Sequence, residues 1–287
     1  MRWHPILSLK FSILLLCVID AATRGACAGP ADKPYEFGVL PYLPLAKIQE
    51  LYGPIASDFE AKLGREVWLS SKGDYTQYTA AVNKEIYDIA FVQPFDYVEA
   101  HDKHGYLPLA RRRDSLGALI VVRADSPLTT IQDLRGKTVA NPPADALVSH
   151  LTSGALQDAG IDPDTGVKRE YGKNQFSCMQ SVLIGAADAC GLGDQALLHF
   201  GKEKQLKNRF RILLRTKPAP PPLFVVHKRV PQKDRDILLK TILDWSSTEE
   251  GRNMLAKGFF IPFVPAQDAE YDSVRRHIRA GNKSPFP

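Results

Sequence analysis

The cysteines Cys178 and Cys190 are the residues whose pairing would have the plainest chemical consequence in this chain. In an oxidising compartment they invite a disulfide. The other chemistry open to them is a thiolate site for a soft metal or metalloid. A second group is aromatic. Tyr42, Tyr75, Phe95 and Tyr97 interleave with loop residues and would set hydroxyl donors on an apolar wall, which suits a small ligand. Gln93 ends the apolar run Asp-Ile-Ala-Phe-Val, where a polar side chain is not explained by core packing. Asp74 stands in the loop before Tyr75, and Asp194 follows Gly193 at a strand end, either as a ligand contact or as the cap of the next helix. His101 and His104 are three apart without a third metal ligand at suitable spacing, so a solvated helix face accounts for them. His150 reads as structural or as cleft wall. The chain carries no nucleophile elbow, Gly-rich phosphate loop or paired zinc motif. No enzyme activity, cofactor or metal is expected.

Anion chemistry is suggested by residues 138–146. A strand over 138–140 stops at Asn141-Pro142-Pro143, where Asn141 has the character of an N-cap, Pro142 of a first-turn proline and Asp145 of a first-turn acid. A helix start beyond the end of a strand aims backbone N–H groups outward and suits an anion. An Asp145 carboxylate turned into the cleft would repel a dianion.

The elements that must position these residues alternate. Strands are expected over 35–40, 65–70 and 88–92, with helices over 45–63, 75–86 and from 94 through His101. Strands near 107–110 and 118–122 follow, then a short helical signal at 130–134 and a helix over 144–158. Beyond it come strands near 167–171, 187–192, 210–214 and 223–227, a helix over 176–184, and helices near 232–246, 248–256 and 271–279. The alternation argues for α/β lobes, each a mostly parallel sheet flanked by helices, with ligands beyond the carboxyl ends of the strands. The proline-rich segment 217–222 cannot join a central sheet and reads as a connector. Segments 118–124 and 217–227 are candidate crossings, giving one lobe from residues 29–124 plus 217–287 and an inserted lobe from 125–216. Two crossings permit hinge closure over a cleft.

Residues 1–28 have a different character: Arg2 and Lys10 precede an apolar run over 11–19, and Ala26-Cys27-Ala28 supplies an Ala-x-Ala cleavage site. That is a secretory signal peptide, too short in its apolar run for a membrane span, and it implies a periplasmic destination. A lipid anchor on Cys27 is the rival reading, although Arg24 stands where such sites carry a Leu-like residue. Removing the segment lowers the formal charge of +5 by two. Such mild basicity suits small anions and does not point to nucleic acid, since the one cluster, Arg111-Arg112-Arg113, is short.

Ser126-Pro127 followed by Asp133-Leu-Arg-Gly-Lys-Thr-Val-Ala140, Ile184-Gly-Ala-Ala-Asp-Ala189, Tyr87-Asp-Ile-Ala90 leading into Pro94-Phe-Asp-Tyr97, and Tyr271-Asp-Ser-Val-Arg275 together resemble the periplasmic solute-binding proteins of phosphate, phosphite and phosphonate importers. The resemblance implies a two-lobed clamshell that captures a small oxyanion and delivers it to an ABC permease. A sensory subunit for a membrane histidine kinase is the alternative, and an enzyme on the same fold a remote one. A monomer is expected. The chain departs from that family at two places. Asn141-Pro142-Pro143-Ala144-Asp145-Ala146 replaces a Ser/Thr-rich loop, and Gln175 stands where the family often has a histidine. Asn141, Ala144, Asp145 and Gln175 are therefore taken as the ligand contacts of the inserted lobe.

Overall fold

The computed structural model describes residues 33–203 and 207–279. The signal peptide over 1–28 and its Cys27 lie outside the described residues. The order is β1 (Tyr35–Val39), α1 (Leu45–Leu63), β2 (Val67–Ser70), α2 (Tyr75–Asn83), β3 (Ile89–Val92), α3 (Pro94–His104), β4 (Tyr106–Arg112), β5 (Ala118–Arg123), β6 (Thr138–Asn141), α4 (Leu147–Asp158), β7 (Lys168–Tyr171), α5 (Gln175–Leu183), β8 (Ala189–Gly193), α6 (Asp194–Glu203), β9 (Phe210–Arg215), β10 (Leu223–His227), α7 (Gln232–Asp244), α8 (Glu249–Lys257), β11 (Phe263–Pro265) and α9 (Asp272–Arg279).

Two sheets result, a six-stranded one ordered β11-β4-β10-β3-β1-β2 and a five-stranded one ordered β7-β6-β8-β5-β9. The βαβ units pair in parallel, β1 with β2 and β3, and β6 with β7 and β8. The strands that begin just after the chain changes sheet run the other way: β10 is antiparallel to β3 and β4, and β5 to β8 and β9. Each sheet is therefore mixed, with parallel pairing on one side. The register of β10 against β4 shifts between Phe224 and Val225, opposite Pro108, which has no N–H to give to the ladder.

Local sequence explains the helices. In α1, Ile48, Leu51, Tyr52, Ile55 and Phe59 recur at helical spacing and are buried, and Gly64 ends the helix at a φ of 63°. Asp74 caps α2 by accepting the Gln77 N–H at 2.7 Å. Pro94 opens α3, where its missing N–H costs nothing. Asn174 and Ser177 form a reciprocal cap on α5.

Two boundaries differ from expectation. Asn141 is the last residue of β6, and α4 begins only at Leu147, so Pro142 to Ala146 form a connector. Two consecutive prolines hold the residue before each of them extended, which prolongs the strand. Strand β5, assigned from sequence to the first lobe, is hydrogen-bonded between β8 and β9 in the five-stranded sheet. The chain thus passes between sheets over 113–117 and 216–222. These two passages bond to each other: Leu116 and Ala219 exchange backbone hydrogen bonds at 2.9 and 2.7 Å.

Candidate functional site

A small cavity of about 50 Å³ lies between the two sheets. Its walls come from the loop after β1 (Leu40, Tyr42), the start of α2 (Tyr75), the end of β3 (Phe91, Gln93), the end of β4 (Arg112), both sheet passages (Leu116, Pro222), the start of α4 (Ala146, Leu147, Val148), Gln175, and the end of β8 with the start of α6 (Gly193 to Ala196). These are strand ends and helix starts, where open α/β sheets hold ligands.

Gln93 spans the gap. Its Oε1 accepts the N–H of Leu147 at 2.9 Å, and its Nε2 donates to the Asp145 carbonyl at 3.1 Å. A single side chain of the six-stranded sheet therefore holds the first turn of α4. Gln175 acts on the other wall, accepting the Gly193 N–H at 2.7 Å. Tyr75 is fully buried, and its phenol is pushed well above its usual range, chiefly by burial and then by the charge of Asp96. The Tyr42 hydroxyl lies 3.3 Å from that of Tyr52, and burial pushes Tyr42 up to about 12. Both phenols are neutral donors at any physiological pH.

Charge enters through Arg112, which sequence reading passed over as part of a short basic cluster. Only 3% of its side chain is exposed. It meets Asp114 at 3.2 Å and, across the gap, Asp194 at 3.5 Å. Burial works against its charge, and Asp194 and Asp114 outweigh that cost, so its pKa is raised. One signal was available: the middle arginine of the triplet falls on the inward side of β4, between a half-buried Arg111 and an exposed Arg113.

Of the residues singled out from sequence, Tyr42, Tyr75, Gln93, Gln175 and Asp194 are brought together in the cavity. The others lie elsewhere. Asp74 is the α2 cap. Phe95 packs on His150 and His277, with ring centroids 4.7 and 5.8 Å away. The Tyr97 hydroxyl donates to Asp268 at 2.7 Å, and its ring lies edge-on to Tyr271. Asn141 is buried behind the site, donating from Nδ2 to the Val139 carbonyl at 3.1 Å. Ala144 is exposed over an outer groove, and Asp145 gives the site its carbonyl while its side chain borders a neighbouring groove shared with Asp96. His101 lies 3.2 Å from Asp268, and His104 3.8 Å from Glu85.

Cys178 of α5 and Cys190 of β8 form a disulfide, with Cα atoms 5.7 Å apart. It fastens the helix that carries Gln175 to the strand that ends at Gly193. At a second place, α6 docks across the gap: Gln195 Nε2 donates to the Phe259 carbonyl at 3.0 Å, and His199 Nε2 lies 3.0 Å from the Gly258 carbonyl. Phe259 holds a φ of 49°, unusual for a bulky residue, with its ring against His199.

Residues 37–271 match a protein family described as the periplasmic substrate-binding protein of phosphonate ABC transporters. The tetrathionate sensor histidine kinase TtrS of Salmonella typhimurium is 24% identical over 221 residues, which cover 73% of this chain and 37% of that protein. The chain thus spans little more than a third of that relative's length. Among solved structures, a binding protein component of an ABC phosphonate transporter from Pseudomonas aeruginosa aligns with a TM-score of 0.76 at 14% identity, covering 88% of this chain and 90% of that one. PhnD1 from Prochlorococcus marinus, in complex with methylphosphonate, aligns with a TM-score of 0.77 at 16% identity, covering 88% and 99%. At such identity the likeness concerns the two-lobed clamshell fold.

Proposed function

The chain belongs to the periplasmic substrate-binding proteins of phosphonate ABC transporters, and from that premise we propose that it captures a small oxyanionic solute between its sheets and delivers it to an ABC permease. The observation that carries this reading is the cavity at the strand ends with the buried guanidinium of Arg112 in its wall. Asp114 and Asp194 already neutralise that guanidinium, and its remaining N–H donors can take a ligand oxyanion. Tyr75 and Gln175 add neutral polar groups, and Gln93 bridges the lobes as the cleft shuts. The lobes turn about the paired passages over 113–117 and 216–222, the first slightly ahead of the boundary at 124 read from sequence. The role is one of binding, without catalysis.

Thermal unfolding with methylphosphonate, phosphite, short sulfonates, arsenite and organic acids tests the reading. A ligand at 100 times its Kd adds about 2.7 kcal/mol of apparent stability. A panel in which no anion shifts the transition would remove the proposal.

A second reading has its own support. The similarity to a sensor histidine kinase suits a clamshell that presents its closed form to a membrane kinase. Uptake by a deletion strain separates the two: lost uptake of the bound solute identifies transport, whereas normal uptake with a lost transcriptional response identifies sensing.

A further inference from the structure

We propose that this site selects a singly charged organic anion, with a sulfonate or carboxylate head and a short apolar remainder, over a doubly charged phosphonate, and that Arg112 is the residue that reads the head group. The inference rests on the binding role proposed above and concerns which anion fills that role.

Three observations converge on Arg112. The first is that the start of α4, the other natural anion donor in the cavity, is already engaged: Gln93 Oε1 occupies the Leu147 N–H. A helix start that has given a first-turn N–H to a neutral amide has less to offer an incoming anion. The second is that Arg112 is the cation of the cavity wall, with 3% of its side chain exposed. It reaches Asp114 through Nε and Nη2 at 3.3 and 3.2 Å, and Asp194 from Nη2 at 3.5 Å. Among the described residues, Nη1 donates to none. A guanidinium carries five N–H donors in a planar fork, so one arm is left for a ligand.

The third observation sets the charge. Arg112 already faces two carboxylates, and Asp194 itself lines the cavity. Arg112, Asp114 and Asp194 together carry one net negative charge before any ligand arrives. A monoanion adds one unit to that deficit and a dianion adds two, and although water screens the partly exposed Asp114 and Asp194, the dianion meets the greater repulsion. The rest of the wall is largely aliphatic and aromatic, with Leu40, Phe91, Leu116, Val148 and Pro222 facing the space. This matches a short apolar tail in place of a second charged group. In this arrangement Asp194 reports ligand charge. It starts α6, so the carboxylate that meets Arg112 across the gap belongs to the opposing lobe.

Isothermal titration of the full mature chain with methanesulfonate, propionate and methylphosphonate, above the second ionisation of the phosphonate, tests the inference. Either monoanion is expected to bind roughly tenfold or more tightly than methylphosphonate. Arg112→Gln should weaken monoanion binding by roughly 10- to 100-fold, the range for a lost charged hydrogen bond. The neighbouring exposed Arg113→Gln should leave it unchanged. Asp194→Asn retains an acceptor for the Gln195 N–H and should narrow the gap between dianion and monoanion. Because Arg112→Gln loses a buried ion pair, its unliganded melting curve is measured alongside. If that variant does not fold, the Asp194→Asn comparison decides.

Tighter binding of the phosphonate dianion, an unaltered Kd in a folded Arg112→Gln variant, or an unaltered selectivity in Asp194→Asn overturns the inference and leaves the binding role intact. Absence of binding by all three anions counts against the binding role itself.

Discussion

Gln93 Oε1 and the backbone nitrogen of Leu147 lie 2.9 Å apart although 54 residues separate them, and they belong to different lobes. With the return bond to the Asp145 carbonyl at 3.1 Å, one amide ties the two lobes at this point, beside the α6 contacts to Phe259 and Gly258. Gln93→Ala removes both bonds. The expected cost is about 1–2 kcal/mol for two ordinary hydrogen bonds. The unliganded variant should also show a larger radius of gyration by small-angle scattering, as the cleft relaxes. An unchanged radius would show that the lobes are held by the other contacts alone.

The disulfide between Cys178 and Cys190 closes a short loop within one lobe. Reduction should lower stability by about 2–4 kcal/mol, mainly by freeing the unfolded chain. Denaturant titration with and without reductant measures it, and coincident curves would refute it. Because α5 carries Gln175 at its start, ligand affinity should fall on reduction as well.

Two buried groups should give opposite pH responses. His150 is pushed down from 6.5 to about 4 by burial, and further by His277 and Arg169. Its neutral form is the folded one, so its contribution is complete above pH 6.5 and is lost as pH falls towards about 4. Asp96 is pushed up from 3.8 to about 7, chiefly by burial and partly by Asp145, against the Thr79 hydrogen bond at 2.9 Å. It folds protonated, so its contribution is complete below 3.8 and is lost as pH rises towards about 7. Between pH 4 and 6.5 the two slopes oppose each other. Asp96→Asn should therefore stabilise the protein at pH 8 by about 1–3 kcal/mol and expose a steeper acid loss. His150→Gln should flatten that acid loss. Parallel stability profiles for wild type and both variants would exclude this account.

Gly191, in the middle of β8, has no room for a side chain. A Cβ there would run into Thr152 Oγ1 and would sit 2.9 Å from Asn141 Oδ1. Gly191→Ala should cost about 1–3 kcal/mol as an overpacked core, and Thr152→Ala in the same chain should recover part of it. Full stability of the single variant would mean that β8 and α4 separate more readily than their packing indicates.

Periodicity made the architecture legible. The stripe Ile48, Leu51, Tyr52, Ile55, Phe59 located α1 to the residue, and the apolar run before Gln93 located β3. Pairing direction was not legible, because an apolar strand such as β5 or β10 reads the same in either orientation. The helix start at Asn141 was misplaced because a strand-ending asparagine before two prolines satisfies the same rules as a cap. Aromatic residues were the weakest guide to the site. Tyr97 and Phe95 stand on α3 near Gln93, yet helical rotation turns one towards Asp268 and the other towards His150. Arg112 was legible as an inward-facing residue of β4, but its partner Asp194 belongs to α6 and meets it only in the folded chain.

The insertion of one sheet within the other sets an order of assembly as the chain leaves a translocon amino end first. All five strands of the inserted sheet have emerged once β9 ends at Arg215. The six-stranded sheet at that moment lacks β10, which must enter between β3 and β4. The lobe bearing Asp194 and Gln175 can therefore complete its sheet first, while the lobe bearing Arg112 waits with an open seam for residues 223–227. During that interval the edges of β3 and β4 are unpaired, and this is where a periplasmic chaperone would have its task.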